Sequence, residues 1–119
     1  MHNFDRKSVW DSSYKNKDNY LFYPHEEVIR FFARYVRKRV GFNDFQDCDS
    51  FEKNPCVLDL GCGIGRHIRF CDDLKLEVKG IDLSEVANTE ARRICLIEVR
   101  DHLIDGLFTG SIADLPYQC

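Results

Sequence analysis

The sequence predicts an α/β protein with parallel strands and flanking crossover helices. Three observations carry this. Helical and strand patterns alternate from residue 24 to residue 112, and such alternation places crossover helices on a parallel sheet. A short apolar run, CVLDLG at 56–61, stops at a cluster of glycines, as a buried strand does before a turn. Ser84 separates a second strand pattern from a long helical one, the place where an N-cap is wanted.

The elements follow in order. Residues 1–23 form an N-terminal aromatic arm, with Phe4, Trp10, Tyr14, Tyr20, Phe22 and Tyr23 spread through polar sequence; it is either a loose terminus or a short helix packed over something. Residues 24–119 form the domain proper. PHEEVIRFFARYVRKRV at 24–40 reads as an amphipathic helix, with Val28, Phe32, Ala33, Val36 and Val40 on one stripe. Pro24 suits its first turn, Glu26 and Glu27 its positive end, the basic run Arg37 to Arg39 its negative end, and Gly41 its stop. His25 is read as solvent-facing. Residues 43–55 form an acidic polar linker. Strand 56–61 is followed by a helix over 64–74, a strand over 76–83, a helix from about 85 to 103, and a strand over 107–112. ADLPYQC at 113–119 is a loop.

Composition bounds the function. The chain has 119 residues, 44% hydrophobic and 31% charged, with 17 basic and 20 acidic side chains for a net charge of −3. That suits one domain with a real core and excludes a disordered chain. No apolar run reaches the ~18 residues of a membrane span, and MHNFDRKSVW is not a secretory signal. The charge balance gives no strong nucleic-acid signal. Of the six cysteines (Cys48, Cys56, Cys62, Cys71, Cys95 and Cys119), no pair is spaced C-x-x-C and no histidine pair completes a zinc pattern. No metal is expected, and the thiols read as reduced and mostly buried, in a cytoplasmic protein.

The chemistry concentrates in VLDLGCGIGRH, residues 57–67. Gly61, Gly63 and Gly65 follow a strand and precede a helix, so the backbone can turn sharply under a ligand. Asp82 ends the next strand, 21 residues beyond Gly61. A carboxylate there can accept from both ribose hydroxyls of a nucleoside. The ligand is not read as a dinucleotide, because the third glycine falls one residue early for G-x-G-x-x-G. Asp59, just inside the strand end, is a poor neighbour for a pyrophosphate and a good one for an ammonium or a sulfonium. A structural role for Asp59 stays open at this point. No G-K-[ST] follows, which excludes a Walker loop.

The segment DLGCGIGRH (59–67) resembles the first motif of the class I S-adenosylmethionine-dependent methyltransferases. GIDLS (80–84) resembles their second-strand motif, GSIADLPY (110–117) the segment after their third strand, and YPHEEVIRFFARYV (23–36) the helix before the first motif. The resemblance implies a Rossmann-like sheet and S-adenosyl-L-methionine as cofactor. It places Gly61, Cys62, Gly63 and Gly65 under the methionine part, with Asp59 on the amino group, Asp82 on the ribose hydroxyls and Leu83 against the adenine face. An acidic residue common in the family after the third strand is here Ser111, a departure; Asp114 is a substitute from the loop, and the backbone N–H of Ile112 suits the adenine ring. Ser111 and Asp114 serve equally well as turn or cap residues. Trp10, Tyr14, Tyr20 and Tyr23 are either packing residues or a lid whose ring faces meet the sulfonium. His67 is read as a helix-face residue.

The family fold has about seven strands, and the sequence shows three. The chain therefore resembles the N-terminal part of a methyltransferase, truncated after about the third strand. The acceptor and any catalytic residue lie outside what can be read, and an exposed sheet edge is expected to promote self-association. A same-fold enzyme using a related nucleoside cofactor, as in aminopropyl transfer, and a non-catalytic binding module are the alternatives.

Overall fold

The computed structural model describes residues 6–15, 21–48, 55–111 and 113. Among these residues four helices and five strands run in the order α1 (Arg6–Lys15), α2 (Glu26–Tyr35), β1 (Arg37–Arg39), β2 (Phe45–Asp47), β3 (Cys56–Leu60), α3 (Arg66–Asp73), β4 (Glu77–Asp82), α4 (Glu85–Ile97) and β5 (Leu107–Thr109), with a 3₁₀ helix at Asp101–Gly106 before β5. β3, β4 and β5 form one parallel sheet in that order. Cys56 pairs with Glu77, Leu60 with Ile81, and Asp82 with Thr109. The fold is α/β with flanking helices, as the alternation predicts.

β4 is the middle strand, and four of its six residues (Val78, Gly80, Ile81 and Asp82) are buried. The core joins it to both crossover helices. Ile68 and Cys71 of α3 and Ala91 and Cys95 of α4 pack with Val78, Leu103 and Leu107. Full burial of an aliphatic side chain of this size contributes about 2 kcal/mol. β3 is an edge strand among the described residues, and none of its five residues is buried although four are apolar. α1 docks on α4 through a second cluster made by Tyr14, Ile64, Ala87 and Ile94.

Three expectations are corrected. The helix expected over 24–40 ends at Tyr35, and Arg37–Arg39 pairs antiparallel with Phe45–Asp47 in a hairpin across the expected linker. Tertiary contacts cause this. The buried Arg37 donates to the Asp47 carboxylate and, through Nη1, to the carbonyls of Leu74 (2.9 Å) and Lys75 (3.1 Å) at the end of α3, where a cation suits the helix dipole. Pro24 precedes the helix, and His25 is the N-cap, its Nδ1 accepting from the N–H of Glu27.

The helix from Ser84 ends at Ile97 rather than about 103. Val99 adopts φ 57°, the N–H of Arg100 donates to Cys95 O at 2.7 Å and that of Val99 to Leu96 O at 3.2 Å. That is a Schellman cap, the left-handed stop that glycine usually supplies. α3 ends in the same way, with Lys75 at φ 60°. Finally, Cys48, Cys62, Cys71 and Cys95 are free thiols, but Cys56 is disulfide-bonded. That corrects the reading of the cysteines as reduced.

Candidate functional site

The glycine loop links β3 to α3 at the C-terminal end of the sheet. The N–H groups of Gly61 and Cys62 both donate to Ile81 O, at 2.8 and 3.1 Å, so the loop starts by lying back on β4. Gly61, Gly63 and Gly65 all have positive φ, at 74°, 57° and 89°. At Gly63 a second constraint is added: a Cβ there would stand 2.8 Å from the hydroxyl of Tyr14. Gly80, under the loop on β4, is equally restricted. A Cβ there would meet Cys62 and Ile68 at 2.9 Å.

Asp82 holds this loop in place. One carboxylate oxygen accepts from the N–H of Gly63 (2.8 Å) and the other from the N–H of Ser84 (2.9 Å). Each oxygen keeps further lone-pair capacity. Ser84 is the predicted N-cap of α4, accepting from Ala87 N–H at 3.0 Å. Its hydroxyl also donates to Asp11 of α1, and Lys7 sits 3.0 Å from Asp11. The strand end, the helix start and the N-terminal arm are thus tied together at one point.

Asp59 is the opposite case. Its Oδ2 is buried without a hydrogen-bond partner. Burial, aided by the nearby charge of Asp82 and opposed by Arg66, pushes its carboxyl up to about 6. Burial and the same carboxylates push Tyr14 up to about 12, and burial raises the Cys62 thiol. His67, in the first turn of α3, is half-buried, and its Nε2 accepts from the N–H of His25 at 3.0 Å. Burial, Arg66 and His25 lower its pKa, which keeps the accepting nitrogen unprotonated.

Three adjoining cavities meet at Gly61. One of about 310 Å³ is lined by Asp59, Arg66, His67, Trp10 and Tyr14. A smaller one of about 190 Å³ lies between Trp10, Tyr14, Asp82 and Leu83. The third, about 550 Å³, is bounded by Leu60, Ile81, Leu83, Gly110 and Ser111. Together they form a cleft running from a charged end, past a carboxylate, to an apolar end.

Asp59, Gly61, Cys62, Gly63, Asp82, Leu83 and Ser111 line the three cavities, and Gly65 is the N-cap of α3. Ile112, Asp114, Cys119 and Tyr20 lie outside the described residues. Trp10 and Tyr14 reach the cleft. Tyr23 does not line it; its side chain is 85% exposed and its carbonyl accepts from Arg66 at 3.3 Å. Sequence reasoning missed Asn88. This fully buried residue donates to Phe108 O (2.6 Å) and to Thr109 Oγ1 (2.7 Å), joining α4 to the end of β5. Its signal is a polar residue among Ala87, Ala91 and Ile94 on the buried face of α4. Among the described residues no His, Cys, Asp and Glu cluster could hold a metal ion, and no helix is long and apolar enough to cross a membrane.

No family model and no curated protein matches the chain. Solved structures do. MccD protein is 22% identical with a TM-score of 0.57, covering 78% of this chain and 35% of that one. The protein solved for the conversion of a disulfide bond into a thioacetal group during echinomycin biosynthesis is 19% identical, with a TM-score of 0.61 and coverages of 90% and 38%. Geranyl diphosphate C-methyltransferase from Streptomyces coelicolor A3(2), solved with Mg²⁺, geranyl diphosphate and S-adenosyl-L-homocysteine, is 16% identical, with a TM-score of 0.53 and coverages of 94% and 48%. The chain spans less than half the length of each of these proteins. At such identities the likeness is one of fold, a Rossmann-like α/β architecture with a parallel sheet and flanking helices.

Proposed function

We propose that this chain is the cofactor-binding portion of an S-adenosylmethionine-dependent methyltransferase. The observation that carries the reading is the order of groups along the cleft. A buried, unpartnered carboxylate oxygen at Asp59 stands at one end, Asp82 at the middle and an apolar cavity beside Leu83 at the other. An ammonium, a ribose and an adenine require groups in that order.

In this reading Asp59 accepts from the amino group, which satisfies its buried oxygen. Asp82 accepts from the ribose hydroxyls with the lone pairs that Gly63 and Ser84 leave. Leu83 packs on the adenine face, and Ser111 supplies a polar contact at its edge. Gly61, Cys62, Gly63 and Gly65 keep the backbone close to the methionine part. Trp10 and Tyr14 form one wall of the cleft. When bound, S-adenosyl-L-methionine supplies an electrophilic methyl group on a sulfonium. The protein's task is then to hold the reacting partners in line. The methyl acceptor is not assigned to any residue of this chain.

Two further points belong to the proposal. A cytoplasmic setting would keep Cys48, Cys62, Cys71 and Cys95 as the free thiols they are, while the disulfide at Cys56 argues the other way. Self-association through the outer edge of β3 is supported by an apolar strand left half-buried at the sheet edge, and sedimentation at increasing concentration checks it.

Isothermal titration with S-adenosylmethionine and S-adenosylhomocysteine tests the cofactor reading, with Asp82→Ala as control. Saturable binding that the variant loses is the expected result. Absence of binding by the described chain and by a longer chain containing it overturns the reading.

A further inference from the structure

The segment before α2 is tied to α3 at two points, and one of them depends on a lone pair. Arg66 and His67 are the first two residues of α3. Arg66 Nη1 donates to the carbonyl of Tyr23 at 3.3 Å, and His67 Nε2 accepts from the N–H of His25 at 3.0 Å. His25 repeats the second pattern on its own helix. Its Nδ1 accepts from the N–H of Glu27 at 3.1 Å and so caps α2. In both bonds the donor is a backbone N–H, which can only donate, so both imidazoles must offer a bare nitrogen. An imidazolium carries two N–H groups and has no lone pair to offer. Protonation of His67 therefore sets donor against donor where the segment meets α3, and protonation of His25 does the same at the cap.

We infer that His25 and His67 form a pH-operated latch, which holds residues 21–25 and the first turn of α2 against α3 at neutral pH and releases them in mild acid. The inference stands on this joint alone and holds whatever the neighbouring cavity binds. Arg66 adjoins His67 in sequence and His25 faces it, and the cavity that His67 lines also holds Asp59 of β3 and Tyr14 of α1. Beside His25 stand Glu26 and Glu27, the first of them paired with Arg30. Burial, then Arg66 and His25, lower the His67 pKa from the ordinary 6.5. A basic group lowered in this way binds fewer protons in the folded protein than in the unfolded chain. The His67 bond therefore contributes its full stability above pH 6.5 and loses it as the pH falls through the lower, folded value. Leu21 is a wall of the same cavity as His67, so release of the segment widens that cavity.

An NMR titration of the ¹⁵N-labelled chain from pH 7.5 to 5 tests the latch, following the backbone amides of His25 and Glu27 and the ring protons of both histidines. In the wild type the His25 amide should shift with the same midpoint as the His67 ring. Its protection from hydrogen exchange, corrected for the intrinsic rate, should fall about tenfold, the scale of one such bond lost. The Glu27 amide should follow the His25 ring in the same way. His67→Gln offers a carbonyl oxygen in place of Nε2, and His25→Asn offers one in place of Nδ1 at a position where asparagine is a preferred cap. Each variant keeps an acceptor that does not titrate, so its own bond should persist at pH 5. His67→Phe removes the acceptor and should leave the His25 amide unprotected even at pH 7.5. A His25 amide that ignores the titration of His67 overturns the inference. So does a pH profile that His67→Gln shares with the wild type, which would mark acid unfolding by another route, and so does full protection of the His25 amide in His67→Phe.

Discussion

β3 and β4 are adjacent and parallel, and each brings one carboxylate to the glycine loop, yet the two live in opposite environments. Asp82 stands at the last residue of β4, where the chain turns into α4 and the loop folds back above it, so two backbone N–H groups reach it. Asp59 stands one residue before the end of β3. The neighbouring backbone groups are engaged in strand pairing, and Oδ2 is left buried without a partner. The same residue type therefore does two jobs. Asp82 builds the site. Asp59 keeps a buried oxygen without a partner, and burial raises its carboxyl above the ordinary range.

The comparison can be broken most forcefully at Asp82. Asp82→Ala removes two charge-assisted hydrogen bonds and strands the Gly63 and Ser84 N–H groups. A loss of about 3 kcal/mol in unfolding free energy is expected, with loss of nucleoside binding. Chemical denaturation and titration check both. Unchanged stability would show that the loop holds itself.

Asp59→Asn should act with the opposite sign on stability. The folded-state pKa of about 6 lies above the ordinary 3.8, so the folded protein binds more protons than the unfolded chain between those values. Wild-type stability contributed by this group is then greatest below pH 4, falls as pH rises to about 6 and levels off above it. Asp59→Asn should remove that slope and be more stable than wild type at pH 7, by about 1–2 kcal/mol after allowing for screening in a cavity open to solvent. Its affinity for an ammonium-bearing ligand should fall. Denaturant melts at pH 4, 5, 6 and 7 measure the slope, and a parallel wild-type and variant profile refutes it.

The smallest effect is expected one step removed from both carboxylates. Ser84→Ala deletes the cap of α4 and the contact to Asp11, at a cost of about 1 kcal/mol. The Ser84 N–H still reaches Asp82, so the glycine loop should stay intact. Fluorescence of Trp10, the only tryptophan in the sequence, should report the release of α1. An unchanged spectrum would place the hold on α1 elsewhere.

What could be read in advance was local. The run CVLDL, the glycines, Asp82 and the Ser84 cap each act on residues within a few positions, and the strand, loop and cap follow from them. What could not be read depends on distant partners or on an unusual residue in a familiar role. Nothing near Arg37 announces that its guanidinium will seize carbonyls at Leu74 and Lys75 and so end α2 early. The ends of α3 and α4 are set by Lys75 and Val99 in the left-handed conformation, where a glycine would have been visible. Arg66 was legible as part of a motif, but its sharing one cavity with Asp59 was not. Asn88 is hidden for the same reason, since its partners lie on β5.

The attachments of α1 also carry a consequence for the order in which the molecule assembles. Asp11 meets Ser84, Lys7 approaches Glu85, and Tyr14 rests over Gly63. Each joins an early residue to one about 50 to 80 positions later, so the entropy of closing a long loop must be met before any of these contacts forms. As the polypeptide leaves the ribosome, α1 has nothing to rest on until β4 and the first turn of α4 have emerged. The cover of the cleft is therefore among the last parts to be set in place during synthesis, and it is the natural first part to detach when the folded protein opens locally.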